Sequence, residues 1–186
     1  MREERKLQII QAASRVFSRK GLAGAKMSDI AREAGLSHGH LYNHFKTKEE
    51  LLATIVQMGQ ELYGRVLKGE LAREGDAAGK LRRIAETVWF SGGMTGIYWV
   101  VLQTQASDVL PAETKAEISA RMMLNLDLLT QIIEQGQRED TFTTGDPKEI
   151  ATIAMMFLHN TGLWEIRGLG EPKHSMVDWL LKLVRK

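Results

Sequence analysis

Cysteine is absent from the 186-residue chain, proline occurs only three times, and neither sign of charge dominates, with 25 basic against 23 acidic side chains. Without cysteine there is no disulfide framework, which suits a reducing cytoplasm. The longest unbroken apolar runs, such as Ile153–Leu158, fall far short of the ~18 residues of a membrane span, so no membrane partner is expected. The opening Met1-Arg2-Glu3-Glu4-Arg5-Lys6 is charged and unlike the apolar core of a signal peptide. Enzyme signatures are missing too: no Gly-rich phosphate loop, Ser-x-x-Lys or His-Glu-x-x-His appears. We therefore expect a non-enzymatic cytoplasmic protein with no cofactor and no resident metal.

What is present sits at the globular average, 44% hydrophobic and 26% charged. A chain of this size buries roughly two-thirds of its unfolded surface, enough for a real core. The net charge of +2 becomes informative once it is split: residues 1–50 hold ten Lys/Arg against six Asp/Glu, residues 51–186 fifteen against seventeen. Three of the five histidines, His38, His40 and His44, also lie in the first fifty. A small basic head on a mildly acidic body points to a polyanion at one end.

Apolar residues recur at helical spacing along most of the chain. Leu7, Ile10, Ala13, Val16 and Phe17 form one stripe, stopped by Gly21. Further helices are predicted over 28–34, 38–45, 48–68, 80–90, 96–105, 112–137, 148–167 and 172–185, with 69–79 as a connection. Pro111, Pro147 and Pro172 each precede a long helical segment, where a fixed φ and a missing N–H are tolerated. No alternating segment of useful length appears, so no sheet is expected. The predicted fold is all-α with about nine helices.

The informative stretch is Ser28-Asp29-Ile30-Ala31-Arg32-Glu33-Ala34-Gly35-Leu36-Ser37-His38-Gly39-His40-Leu41-Tyr42-Asn43-His44-Phe45. Ile30, Ala31 and Ala34 give a compact apolar face, Gly35 suits the left-handed position that ends a helix, and Ser37 is a good N-cap. A helix, a three-residue turn and a second helix make the unit whose second helix enters the major groove. On a helical wheel Leu41 and Phe45 face the core. Gly39, His40, Asn43 and His44 face outwards with Tyr42 at the edge. Asn43 could bond an adenine edge and Gly39 permits close backbone approach. His40 and His44 at i and i+4 also have a metal-binding spacing, but His38 is rotated away from the pair, and DNA contact is the better reading.

Over about Arg5–Leu52 the chain resembles the TetR family of bacterial transcriptional regulators. The resemblance rests on Ala13 and Phe17, Lys20-Gly21, Asp29-Ile30-Ala31, Ala34-Gly35-Leu36-Ser37, Gly39, Leu41-Tyr42, His44-Phe45, and Lys48-Glu49 ahead of Leu51. It implies a three-helix DNA-binding domain over 1–48, reaching into a linking helix to about 63. An effector-binding and dimerisation domain would follow over 49–186. It also implies a DNA face drawn from Lys26, Ser28, Ser37, His38, Gly39, His40, Tyr42, Asn43, His44, Lys46 and Lys48, with Tyr42, His44 and Lys48 on phosphates. One departure stands out: where the family usually has Thr or Ser ahead of the second helix, this chain has Ala25-Lys26. Lys26 cannot cap, so the helix is expected to start at Ser28 or to rely on Asp29 complementing its dipole. Lys26 itself either touches a phosphate or is simply exposed.

In the body, segment 150–158 is apolar all round the wheel, and a helix that is hydrophobic on every side is buried on every side. The last helix carries Met176, Val177, Trp179, Leu180, Leu181, Leu183 and Val184. The resemblance implies a homodimer through 148–167 and 172–185, the alternative being a monomer core. Trp89, Phe90, Tyr98 and Trp99 crowd together with Gly92-Gly93, Met94 and Gly96 between them. On the following long helix Ile118, Met122, Leu126, Leu129 and Ile133 form a stripe that Asn125 shares. With Met156, His159 and Asn160 these suit a pocket for a small, largely apolar effector, or else ordinary core. The implied function is a ligand-responsive repressor of a palindromic duplex operator. The alternative is a ligand-independent DNA-binding protein whose aromatic cluster is only core.

Overall fold

The helical periodicity becomes eight helices among the described residues: α1 (Arg2–Gly24), α2 (Met27–Glu33), α3 (His38–Tyr42), α4 (Lys48–Ala72), α5 (Ala77–Phe90), α6 (Ala112–Arg138), α7 (Pro147–Asn160) and α8 (Ser175–Val184). A computed structural model describes residues 2–90, 100, 101, 103, 104, 109–160, 170 and 173–186. Of the predicted helix over 96–105, Val100, Val101, Gln103 and Thr104 are helical and the rest lies outside the described residues. The described residues contain no strand, only an isolated bridge between Phe142 and Arg185.

The chain divides into two compact units, Met1–Gly59 with Gly96–Ile118, and Gln60–Thr95 with Ser119–Lys186. In the first, α1 packs on α2 and α2 on α3. Its core is Ile9, Ile10, Ala13, Val16 and Phe17 from α1, Ile30 and Ala31 from α2, then Leu41, Phe45, Leu51 and Leu52, all nearly inaccessible. Truncating a buried phenylalanine such as Phe17 to alanine removes about 3–5 kcal/mol. In the second unit α5, α7 and α8 pack on one another. Their buried faces hold Leu81, Ile84, Val88 and Trp89, Ala151, Ala154 and Leu158, and Val177, Leu180 and Val184.

Several boundaries differ from the periodicity, each for a local reason. Helix α4 runs on through Gly69 to Ala72 because Glu70 is buried and bonds Arg83 of α5 at 2.8 Å. Asp76 starts α5 early, at Ala77, since its carboxylate accepts the Gly79 N–H at 2.7 Å, and Glu139 accepts the Ala77 N–H at 2.9 Å. Asp146 does the same for α7, accepting from the Lys148 N–H at 2.7 Å. Helix α3 is shorter than expected: the His44 N–H bonds to Leu41 O at 2.9 Å, a tightened last turn that ends the helix. Helix α8 begins at Ser175, later than expected, and residues 161–169 and 171–172 lie outside the described residues.

Candidate nucleic-acid interface and ligand-binding body

The turn between α2 and α3 is built by two terminators. Gly35 has φ +65°, the left-handed region that a Cβ makes costly. Its N–H bonds to Arg32 O at 3.2 Å and that of Leu36 to Ala31 O at 2.9 Å, the paired bonds of a Schellman ending. Gln8 of α1 adds a third, its amide donating to Ala34 O at 2.9 Å. Ser37 then caps α3 as expected, its hydroxyl accepting the His40 N–H at 3.2 Å.

The start of α2 follows the second of the two expectations, reliance on Asp29, one residue earlier than Ser28. The helix begins at Met27 and Lys26 is its N-cap, although its side chain has no acceptor to offer. Asp29 supplies what is available, accepting the Lys26 backbone N–H at 3.3 Å and the Lys20 ammonium at 2.8 Å. The bond to Lys20 is the main reason the Asp29 carboxyl lies below its ordinary range. Glu33 is held likewise between Arg15, at 2.9 Å, and Arg19, and both guanidinium bonds lower its pKa. The three ion pairs from Lys20, Arg15 and Arg19 clamp α2 to α1.

The clamp leaves the other face of the head open. His38, Gly39, His40 and Asn43 are exposed, with Tyr42 and His44 half-exposed, while Leu41 and Phe45 point into the core. The wheel assignment of α3 is therefore what the structure shows. Gly39 has nothing within 4 Å of where a Cβ would sit, so its openness faces outwards. The His38 and Tyr42 rings lie 4.6 Å apart, and His40 and His44 stack at 6.0 Å. Among the described residues no group of three His, Cys, Asp or Glu is placed to hold a metal.

Around this helix Lys26, Ser28, Ser37 and Lys46 are exposed, and the Lys46 ammonium folds back on Tyr42 O at 2.9 Å. Lys48 is placed differently from an open phosphate ligand. It is half-buried, and its ammonium donates to Leu22 O at 2.9 Å, in the last turn of α1, and to Ala25 O at 3.3 Å, just beyond it. Nothing in the sequence pointed to that role, because the partners lie 26 and 23 residues away.

Of the residues named for a ligand, those described lie in the second unit and do not all converge. Met94, Tyr98, Trp99 and the Asn160 side chain lie outside the described residues. Trp89 is core: it is buried, its indole N–H donates to Leu158 O at 3.0 Å, and its ring meets Phe90 and Phe157 edge-on. Phe90 is half-buried and stacks on His174 at 4.2 Å. Met122 is half-buried, Leu126 is buried, and Met156 is exposed. His159 meets Tyr63 edge-on at 4.8 Å, and burial drives its pKa down to about 4 while pushing the Tyr63 hydroxyl up. Asn125 sits on the apolar face of α6 as expected, yet its amide donates to Gln60 O at 3.0 Å and Gln60 Oε1 at 2.9 Å. It lines a cleft of about 330 Å³ with Gln60, Glu61, Gly64, Arg65, Lys68, Arg121, Leu124 and Leu128. The basic character of that lining was not anticipated, because its two sides lie on α4 and α6, far apart in the chain.

The expectation that 150–158 is buried on every side does not hold within one chain. Ala151, Ala154, Met155 and Leu158 are buried, but Ile153 and Met156 are 57% and 60% exposed. Trp179 and Leu183 of α8 are likewise 60% and 52% exposed. No helix among the described residues is long and apolar enough to cross a membrane.

The family model of bacterial regulatory proteins, tetR family, matches residues 9–55, the stretch that carries the clamp, the turn and α3. Over 59 residues the chain is 46% identical to the HTH-type transcriptional regulator PksA of Bacillus subtilis, a match covering 32% of this chain and 29% of that relative. It is 25% identical over 178 residues to the HTH-type transcriptional regulator YfiR of the same organism, covering 87% and 79%. Among solved structures, AibR in complex with isovaleryl coenzyme A and operator DNA superposes with a TM-score of 0.75, at 21% identity over 97% of this chain and 98% of that one. A TetR-family regulator from Agrobacterium tumefaciens gives a TM-score of 0.77 at 20% identity over the full length of both. The head matches the tetR-family model of bacterial regulatory proteins in sequence, and the whole chain shares the fold of solved TetR-family regulators.

Proposed function

We propose that the protein is a cytoplasmic transcriptional repressor, without catalytic activity, that binds a palindromic duplex operator as a homodimer and releases it on binding a small effector. The observation that carries this reading is the outward face of α3, where His38, Gly39, His40 and Asn43 stand exposed on a helix whose opposite side is locked into the core. Asn43 and His40 read base edges, and Lys26, Lys46 and the edge residues Tyr42 and His44 position the head on phosphates. Residues 1–48, continued into the start of α4, form the DNA-binding domain, and 49–186 the effector-binding and dimerisation domain.

Dimerisation through α7 and α8 is supported by Ile153, Met156, Trp179 and Leu183, large apolar side chains that a lone chain leaves in water. A palindromic operator would require the two copies of α3 in such a dimer to lie about one helical turn apart, roughly 34–36 Å. Effector response is supported by analogy with AibR, a neighbour whose structure holds both isovaleryl coenzyme A and operator DNA. Repression is supported by the repressor KstR2 of Rhodococcus jostii, 23% identical over 180 residues. An effector need only favour the DNA-incompetent arrangement by about 1–3 kcal/mol of coupling.

The test is a binding titration at physiological salt against the duplex upstream of the protein's own gene and a scrambled duplex of equal length. Specific recognition gives a preference of at least about 10³-fold for the former. Equal affinity would leave only phosphate attraction and defeat the regulator reading.

A further inference from the structure

The cleft between α4 and α6 has a chemistry that a purely apolar effector does not use. Its floor is fixed by the Asn125–Gln60 amide pair, and Gly64 lets the two helices approach, since a Cβ there would lie 2.7 Å from Asn125 Oδ1. On its rim Arg65 and Lys68 stand three residues apart on α4, on one face and both exposed. Neither makes an ion pair or hydrogen bond among the described residues. Across from them Arg121 bonds Glu61 at 2.6 Å, so the lining carries three cations and one carboxylate. Between the charges lies hydrocarbon: Leu124 is 64% exposed and Leu128 half-exposed.

We propose that this cleft binds an organic anion, a phosphate or carboxylate headgroup on a short hydrocarbon chain. Arg65, Lys68 and Arg121 hold the headgroup, and Leu124 and Leu128 cover the chain. Two cations on one rim, unpaired among the described residues, are attracted to an anion that also separates their like charges. The exposed leucine supplies an apolar surface that a free inorganic ion would not cover. The proposal names the effector class for the repressor reading and rests on that reading for its regulatory consequence, but the binding itself is measurable without DNA.

Calorimetric titration of the full chain would use octyl phosphate, octanoate, inorganic phosphate and octanol as probes. At least one octyl anion should bind about tenfold or more tighter than inorganic phosphate and octanol, and the tighter of the two identifies the headgroup. The double variant Arg65→Gln, Lys68→Gln should weaken that binding by about tenfold, taking each exposed charge contact at its usual modest worth. Arg138→Gln, an exposed charge outside the cleft, should leave it unchanged. Leu124→Gln should weaken octyl-anion binding without changing that of inorganic phosphate. These side chains are at least half-exposed, and thermal melts verify that each variant folds. Octanol binding as well as the octyl anions, or wild-type affinity in the double variant, would overturn the site. Addition of the tighter octyl anion to the operator complex should release the DNA. Calorimetric binding with no release overturns the effector assignment and leaves the site standing, whereas a protein that never prefers its operator defeats the repressor reading while calorimetry still decides the cleft.

Discussion

Lys48→Met separates a structural strut from a phosphate contact, because methionine keeps most of the aliphatic stem and removes only the ammonium. In the structure that ammonium bonds Leu22 O at 2.9 Å and Ala25 O at 3.3 Å, where Gly21, at φ +72°, breaks α1 and leaves its terminal carbonyls without helical donors. A buried hydrogen bond from a charged donor contributes about 1.5–3 kcal/mol, and half-burial with one long bond reduces the pair to about 1–3 kcal/mol in all. A chain of this size loses about 2–4 °C of Tm per kcal/mol, so a drop of roughly 2–12 °C is expected if unfolding is cooperative. All four tryptophans (Trp89, Trp99, Trp164 and Trp179) lie beyond the head, so their fluorescence would not report on it. Urea unfolding followed by far-ultraviolet circular dichroism, with amide hydrogen exchange near the end of α1, is the suitable assay. The salt dependence of operator binding supplies the second readout. A lost phosphate contact lowers the slope by about 0.9, which we expect for Lys26→Ala and not for Lys48→Met. An unchanged urea midpoint together with a slope reduced by about 0.9 in Lys48→Met would refute the strut.

Asn43→Ala should cost about 1–3 kcal/mol in operator binding and relax preference at one base pair of each half-site, measured against a panel of single-substitution duplexes. His159 has a folded pKa of about 4 against an ordinary 6.5, so its contribution to stability is complete above 6.5 and is lost as pH falls towards 4. His159→Phe should flatten the decline of the urea midpoint over that window, and an identical decline in both proteins would count against a neutral buried imidazole. Ile153→Glu should convert the dimer to a monomer by light scattering, and a monomeric wild type at micromolar concentration would sink the α7–α8 interface.

The head was legible in the sequence because its devices are local. The stripe of α1, the Gly35 ending, the Ser37 cap and the outward face of α3 each depend on partners within a few residues, where helical periodicity and backbone sterics decide the outcome. Where the sequence left two possibilities for the start of α2, the structure took the second: α2 starts at Met27 because Asp29 serves the backbone that Lys26 cannot cap. Long-range partners were not legible. Periodicity placed Asn125 on the apolar face of α6, but only packing set its amide on Gln60, 65 residues away. Aromatic crowding suggested that Trp89 faces a ligand, whereas the fold spends its N–H on Leu158 O, 69 residues away, since a buried indole must find an acceptor. The sequence by itself determined a helical chain with a DNA-reading head. Only the tertiary structure decided where Lys48 is anchored, which apolar side chains remain in water and where the cations of the α4–α6 cleft gather, because those depend on which helix surfaces meet, and no single helix's pattern encodes that.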